Sequence, residues 1–296
     1  MGGAAMTVLR HMRHLPRQLP VLASLGQAVL ARGRAPHAEI ERMIAPLPAA
    51  LVRDYVAHVG GDPAVYRDTV PPHLFPQWGL PLAAQCLAGL PYPLARVLNA
   101  GCRLEVSAPL PAGVPLTARA CLVSTDDDGR RAQLSVRVVT GTREVPDAVV
   151  ATIRATVTLA ADKATKRSRR ERLTIPYDAT ELARWHLDRD AGLAFALLTG
   201  DFNPIHWSTR AGKAAGFGGT ILHGFAQLAR AIESIVRARA LASSSRPAVW
   251  DARFTRALRL PADVALFAAG SDAWVGDARG GTPYMTLRGP AELPHD

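Results

Sequence analysis

Residues 199–225 read TGDFNPIHWSTRAGKAAGFGGTILHGF and place a carboxylate, an amide, two imidazoles and six glycines between two apolar helical patterns. Asp201 and His206 can each hold or release a proton. Pro204 between them pushes Asn203 towards an extended conformation, so the segment is not one smooth helix and both side chains can turn into the same cleft. His223 and Gly224 then open an apolar run, LHGFAQLARAIESIV, with Leu222, Phe225, Leu228, Ala229, Ile232 and Val236 at helical spacing. A glycine that starts a buried helix leaves backbone N–H groups facing whatever approaches. Taken singly, Gly200, Asp201 and Asn203-Pro204 also spell a helix stop followed by a turn. It is the order G-D-x-N-P-x-H, a Gly-rich turn, then H-G and an apolar helix, that points to acid–base chemistry.

That order resembles the signature of the MaoC-type dehydratases, also called hydratase 2 or R-specific enoyl-CoA hydratases. The quoted match covers about a tenth of the chain. The resemblance implies an α+β architecture, the hotdog, in which a long helix is wrapped by an antiparallel sheet. It implies that Asp201 and His206 are the catalytic pair, that Asn203 supports them, and that the Gly224 N–H binds a thioester carbonyl, with His223 and Gly219 also among the binding residues. Related hydratases often carry a supporting serine nine residues after the histidine of the H-G pair. Here that position is Ile232, and Ser234 lies on another helix face, so the role is not transferred.

The elements that must position these residues fill a chain of 296 residues, 48% of them apolar, which suffices for one large or two ordinary domains. Three cysteines, Cys86, Cys102 and Cys121, show no metal-ligand spacing and predict reduced thiols in a cytoplasmic protein. A net charge of +10 suggests attraction to anions, but no nucleic-acid-binding motif is present and aromatics are scarce at 6%. The phosphates of CoA or an acidic acyl-carrier protein account for the charge equally well, as does a solvated basic face.

Residues 1–38 contain no acid but carry Arg10, Arg13, Arg17, Arg32 and Arg34 around an apolar run too short to span a bilayer. Pro16 and Pro20 interrupt its first half, which predicts an extension, residues 1–44, that packs on the body or stays partly mobile. Residues 45–161 predict a first globular unit: helices in PAALVRDYVAHVGGDP and HLFPQWGLPLAAQCLAGL, then four strands, two of them joined at the turn Asp126-Asp127-Asp128-Gly129. KATKRSRRER falls within the linker, residues 162–172, where a run of basic side chains is better explained by solvation than by a partner. Residues 173–296 form the second unit, in which RLTIPYD reads as a strand, DATELARWHLDRDAGLAFALLTG as helical with Asp178 or Thr180 as cap, and the remainder as strands and turns.

An internal repeat supports the division. Cys102 to Val114 aligns with Ala252 to Val264 at a constant offset of 150, that is, 252 minus 102. VGGDPAVY at 59–66 echoes TGDFNPIH, and WGLPLAAQCLAGL echoes LHGFAQLARAI, but Tyr66 stands near the place of His206 and no H-G pair precedes the first helix. This resembles the double-hotdog members of the family, whose C-terminal half keeps the catalytic residues while the N-terminal half widens the acyl groove. The implied function is reversible hydration of a trans-2-enoyl thioester of CoA or an acyl-carrier protein in acyl metabolism, with no metal or other cofactor, no stable membrane span, and a monomer or homodimer. A hotdog thioesterase and a non-enzymatic acyl-binding subunit are the alternatives.

Overall fold

Alternation of apolar and polar residues with a period of two marks the long strands of the first half, and these join one large sheet. The computed structural model describes residues 2–30, 39–93, 96–159, 173–238 and 247–290. The N-terminal segment forms α1 (Gly2–His11) and α2 (Leu15–Leu30). Then come β1 (Ile40–Ile44), α3 (Ala49–His58), the short β2 (Thr69–Val70), α4 (Pro76–Leu87), β3 (Val97–Val106), the short β4 (Leu110–Pro111), β5 (Leu116–Asp127), β6 (Arg131–Gly141) and β7 (Val149–Thr158). The second half contributes β8 (Thr180–Leu187), α5 (Ala191–Thr199), α6 (Thr209–Ala214), α7 (Gly224–Ala238), β9 (Ala248–Phe254), β10 (Ala262–Ala269), β11 (Asp272–Gly276) and β12 (Met285–Arg288).

Ten of these strands make one sheet in the order β1-β5-β6-β7-β3-β9-β12-β11-β10-β8, with antiparallel neighbours throughout. The helix α4 lies on β1, β5 and β6, and α7 on β8 and β12. This is the double hotdog: one long helix to each half-sheet. The halves meet where β3 pairs with β9, and there Cys102 faces Ala252. Those two residues are also equivalent in the sequence repeat, as an antiparallel pair astride a local two-fold axis requires. Gly101 sits beside them because a Cβ would strike the Ala252 carbonyl, and Arg154 closes the seam by donating to that carbonyl (2.8 Å) and to the Asp251 carboxylate. The three cysteines are free, two of them buried.

Several sequence expectations need correction. TELARWHL is a strand, not a helix: Trp185 and Leu187 are buried while Arg184 and His186 point outward, and β8 pairs with β10 along its length. Its good helix formers are overruled by the open sheet edge. The helix starts only at Ala191, so neither Asp178 nor Thr180 caps it, and most of RLTIPYD is irregular rather than a strand. The extension ends before residue 40, because Ile40–Ile44 pairs with Leu116–Ala120 as a sheet strand. Pro16 and Pro20 both lie inside α2 and do not break it. The basic run of the linker, 163–172, lies outside the described residues.

The extension is tied to the body by polar contacts. His11 Nδ1 donates to the Ala194 carbonyl (3.2 Å), and Gln18, fully buried, donates to the Leu197 carbonyl (3.2 Å). On α3, the buried Asp54 carboxylate accepts from Arg10 (2.7 Å), Arg13 (2.5 Å) and His14 (2.7 Å). Burial works to raise the Asp54 pKa, but the hydrogen bonds from His14 and Arg13 and the charges of Arg10 and Arg13 outweigh it and hold the carboxyl below its usual range. The stability this confers is present above about pH 4, the unfolded value, and is lost as pH falls through the lower folded value. Asp54→Asn is expected to lower stability by about 1–2 kcal/mol, because the guanidinium partners are half exposed, and to flatten the acid limb of a urea-denaturation series.

Candidate active site

The site is built where α5 stops. Gly200 takes a left-handed conformation (φ +81°) that ends the helix, a backbone state glycine adopts without strain. Asp201 follows, its Oδ1 accepting from the Asn203 N–H at 3.4 Å. Asn203 caps the next 3-10 turn, Pro204–His206, by accepting from the Ile205 N–H at 3.3 Å. Its amide therefore shapes the loop between the acid and the imidazole. His206 ends that turn, buried, and its Nδ1 contacts the Ile221 carbonyl at 2.9 Å.

A carbonyl oxygen only accepts, so His206 carries its proton on Nδ1 and keeps a lone pair on Nε2. Burial pushes the His206 pKa below its ordinary value, against the opposing charge of Asp201, and the ring is neutral near pH 7. His223, immediately before α7, stacks on His206 with ring centroids 3.6 Å apart. Its Nε2 donates to the backbone carbonyl of Asp201 (2.9 Å), while its buried Nδ1 has no hydrogen-bond partner. Burial, and then the neighbouring His206, push His223 down to about 3. Asp201, His206 and His223 each present an atom within 4.8 Å of the others, close enough for one water to bridge. One carboxylate and two imidazoles are also a donor set that a divalent cation accepts, but Nδ1 of His206 and Nε2 of His223 are already held by carbonyls.

Asp201, Asn203, His206 and Gly224 line one cavity of about 910 Å³. Gly224 is the first residue of α7, so its N–H has no acceptor within that helix. It must be glycine on packing grounds, since a Cβ would lie 2.5 Å from the Phe254 ring. His223 lies behind His206 and is not part of the lining, and Gly219 is buried with its carbonyl against Gly212, away from the cavity. From the loop the cavity runs over the first half: Leu80, Ala83, Ala84 and Leu87 of α4, Val97 of β3 and Ile153 of β7 form an apolar wall. Leu22 and Gly26 of α2 complete it. Nothing in the sequence marks those two. Their position follows from Gln18 and Val21, which pack into the space left by the missing Gly200 side chain.

Residues 160–278 match the family model described as a MaoC like domain, a stretch that holds the acid, the amide, both histidines and Gly224. The C-terminal half of this chain is a MaoC-like domain. A search of the curated proteins found no significant match. Solved structures similar to the chain include HtdX of Mycobacterium tuberculosis, with 20% identity and a TM-score of 0.65 over 86% of this chain and all of that one. A MaoC-like dehydratase of Phytophthora capsici aligns with 15% identity and a TM-score of 0.61 over 90% and 99% of the two chains. A second M. tuberculosis protein, described as having a double hotdog fold, aligns with 12% identity and a TM-score of 0.52 over 86% and 96%. At these identities the likeness shows the fold.

The counterpart of the MaoC-like loop in the first half keeps the backbone and loses the chemistry-bearing side chains. Gly60 is left-handed (φ +85°) like Gly200, and Asp62 caps the turn Pro63–Tyr66 as Asn203 caps its own. Gly61 stands where Asp201 stands in the copy, and a Cβ there would run into the carboxylate of Glu233 from α7. That carboxylate accepts from His73 Nε2 (2.8 Å) and from the Tyr66 hydroxyl, and His73 Nδ1 in turn meets the Tyr55 hydroxyl (3.0 Å). This buried chain spans both halves. Sequence reading missed Glu233, although an acid among the apolar residues of α7 was a visible signal.

The tautomers are open to measurement. Long-range nitrogen–proton NMR is expected to show His206 as the Nδ1–H form and His223 as the Nε2–H form, with His223 neutral down to pH 5. Because both folded pKa values lie below the unfolded one of about 6.5, protonation of the unfolded chain draws stability away as pH falls below 6.5. A His223 titration midpoint above 6 would contradict the burial argument.

Proposed function

We propose that the chain adds water reversibly across the double bond of a trans-2-enoyl thioester and dehydrates the corresponding (R)-3-hydroxyacyl thioester. The observation that carries the reading is one cavity in which an unprotonated imidazole nitrogen, a carboxylate and a helix-start N–H meet at the end of a long apolar wall. In hydration, His206 Nε2 accepts a proton from the water as its oxygen bonds to C3. The π electrons shift towards the thioester carbonyl, and C2 is then protonated through Asp201, which shares the proton with His206; dehydration reverses each transfer. The negative charge on the carbonyl oxygen between those events is met by the Gly224 N–H and the positive end of α7. A preorganised donor of this kind is worth about 3 kcal/mol in the transition state.

Asn203 supports the reaction by holding the turn, and His223 by supporting His206 and the Asp201 backbone. The first half serves as acyl-chain wall and the second as catalyst. About 910 Å³ stands near the top of the range usual for small-molecule sites, roughly 300–1,000 Å³, and suits a long or bulky acyl group. CoA and an acyl-carrier protein are both compatible with the basic chain.

Hydration of crotonyl-CoA, followed at the thioester absorbance with a parallel assay for free thiol, tests the proposal. Hydration without thiol release is expected; thiol release without hydration would make the chain a thioesterase. Asp201→Asn and His206→Ala are each expected to lower kcat by about 10²–10⁴ with unchanged circular dichroism. Activity like the wild type in either would refute the assignment. Ala84→Trp, on the wall that α4 contributes, is expected to lower kcat/KM for long acyl chains by at least tenfold while sparing crotonyl-CoA.

A further inference from the structure

Arg230 lies on α7, six residues beyond Gly224, and lines a second, smaller cavity of about 310 Å³ that opens to the surface between α1, α3, β8, α5 and α7. Among the described residues none offers its guanidinium a hydrogen bond or an ion pair, and its Nε is enclosed without a partner. The other arginine of this cavity, Arg10, is already paired with Asp54. Burial pushes Arg230 down to about 10, and the one charge interaction that favours its cationic form comes from Tyr55, whose own pKa burial raises well above its usual value. Arg230 is thus a cation beside an un-ionised phenol. The neighbouring His58 adds to the imbalance: burial, and then the Arg230 charge, push it well below its ordinary pKa.

A largely desolvated guanidinium with no counter-charge is costly, and proteins resolve such a cost with an anion or a pKa shift. Arginine cannot shed its proton at neutral pH. We propose that this cavity is a binding site for a small oxyanion, a phosphate or the carboxylate of a small acid, with Arg230 as its anchor. The size fits one such group, and the planar fork of the guanidinium matches two oxygens of either. Asp188 and Asp190 stand exposed at the same cavity and confine the anion to the Arg230 end. The cavity lies apart from the acyl cavity: no lining residue is shared between the two.

Thermal denaturation of the full chain, titrated with sodium phosphate or sodium acetate at constant ionic strength made up with chloride, tests the proposal. A saturable rise in Tm is expected for at least one of them, and which one responds distinguishes phosphate from carboxylate. Arg230→Met is expected to abolish the rise and, in chloride alone, to melt no lower than the wild type, since it removes an uncompensated charge. Should it unfold instead, calorimetric titration of the wild type, and of Asp201→Asn as a variant outside this cavity, decides the matter: one site per chain in both supports the proposal, and no saturable binding overturns it. A rise in Tm that persists unchanged in Arg230→Met also overturns it, because the effect would then be one of salt on the whole surface.

Discussion

One strand pairing makes the two halves one molecule rather than two separate domains. The ladder between β3 and β9 joins two half-sheets into one, and it does so at the residue pair where the repeat maps onto itself, Cys102 and Ala252. Shifting that register by one residue would turn every side chain of one strand to the other face of the sheet. The apolar wall of α4, β3 and β7 would no longer continue the cavity that begins at Asp201. Gly101 and the Arg154–Asp251 pair are placed at the seam, where backbone approach is closest. The large cavity is therefore a property of the joint, not of either half.

Within the site, desolvation dominates the charges. His206 lies near a carboxylate that favours the imidazolium, yet burial is the larger influence and leaves the ring neutral. His223 is driven further down because it has burial and a stacked neighbour acting in the same direction. Each ring spends one nitrogen on a carbonyl, which settles where its proton resides before any substrate arrives. An imidazole held in this way has no tautomer to exchange before its free nitrogen accepts a proton.

The loop was legible in the sequence because its chemistry is local: Gly200 ends a helix, Asn203 caps a turn, and Pro204 prevents the helix from running on. The strands of the first half were legible through their alternation, and the repeat announced two halves. TELARWHL was not, because its helix formers are decided by a sheet edge some eighty residues away in the chain. Pro20 looked like a break, yet α2 runs through it. The contributions of Gln18, Leu22 and Gly26 to the site left no local trace at all; they depend on a docking that only tertiary packing reveals. Gly219, in a Gly-rich turn beside a histidine, looked like a ligand contact and is instead the point where two backbones touch.

The Glu233 carboxylate has a consequence for how this architecture can change. It occupies the volume that an acidic side chain at position 61 would need, and His73 and Tyr66 of the opposite half are bonded to it. Writing an aspartate back at 61 would push two carboxylates together in a buried space, and replacing Glu233 alone would strand a buried histidine and a phenol. Changes at 61 and 233 are therefore coupled, so that neither is neutral alone. The asymmetry between the two loops is thus held in place by packing on both sides of Glu233.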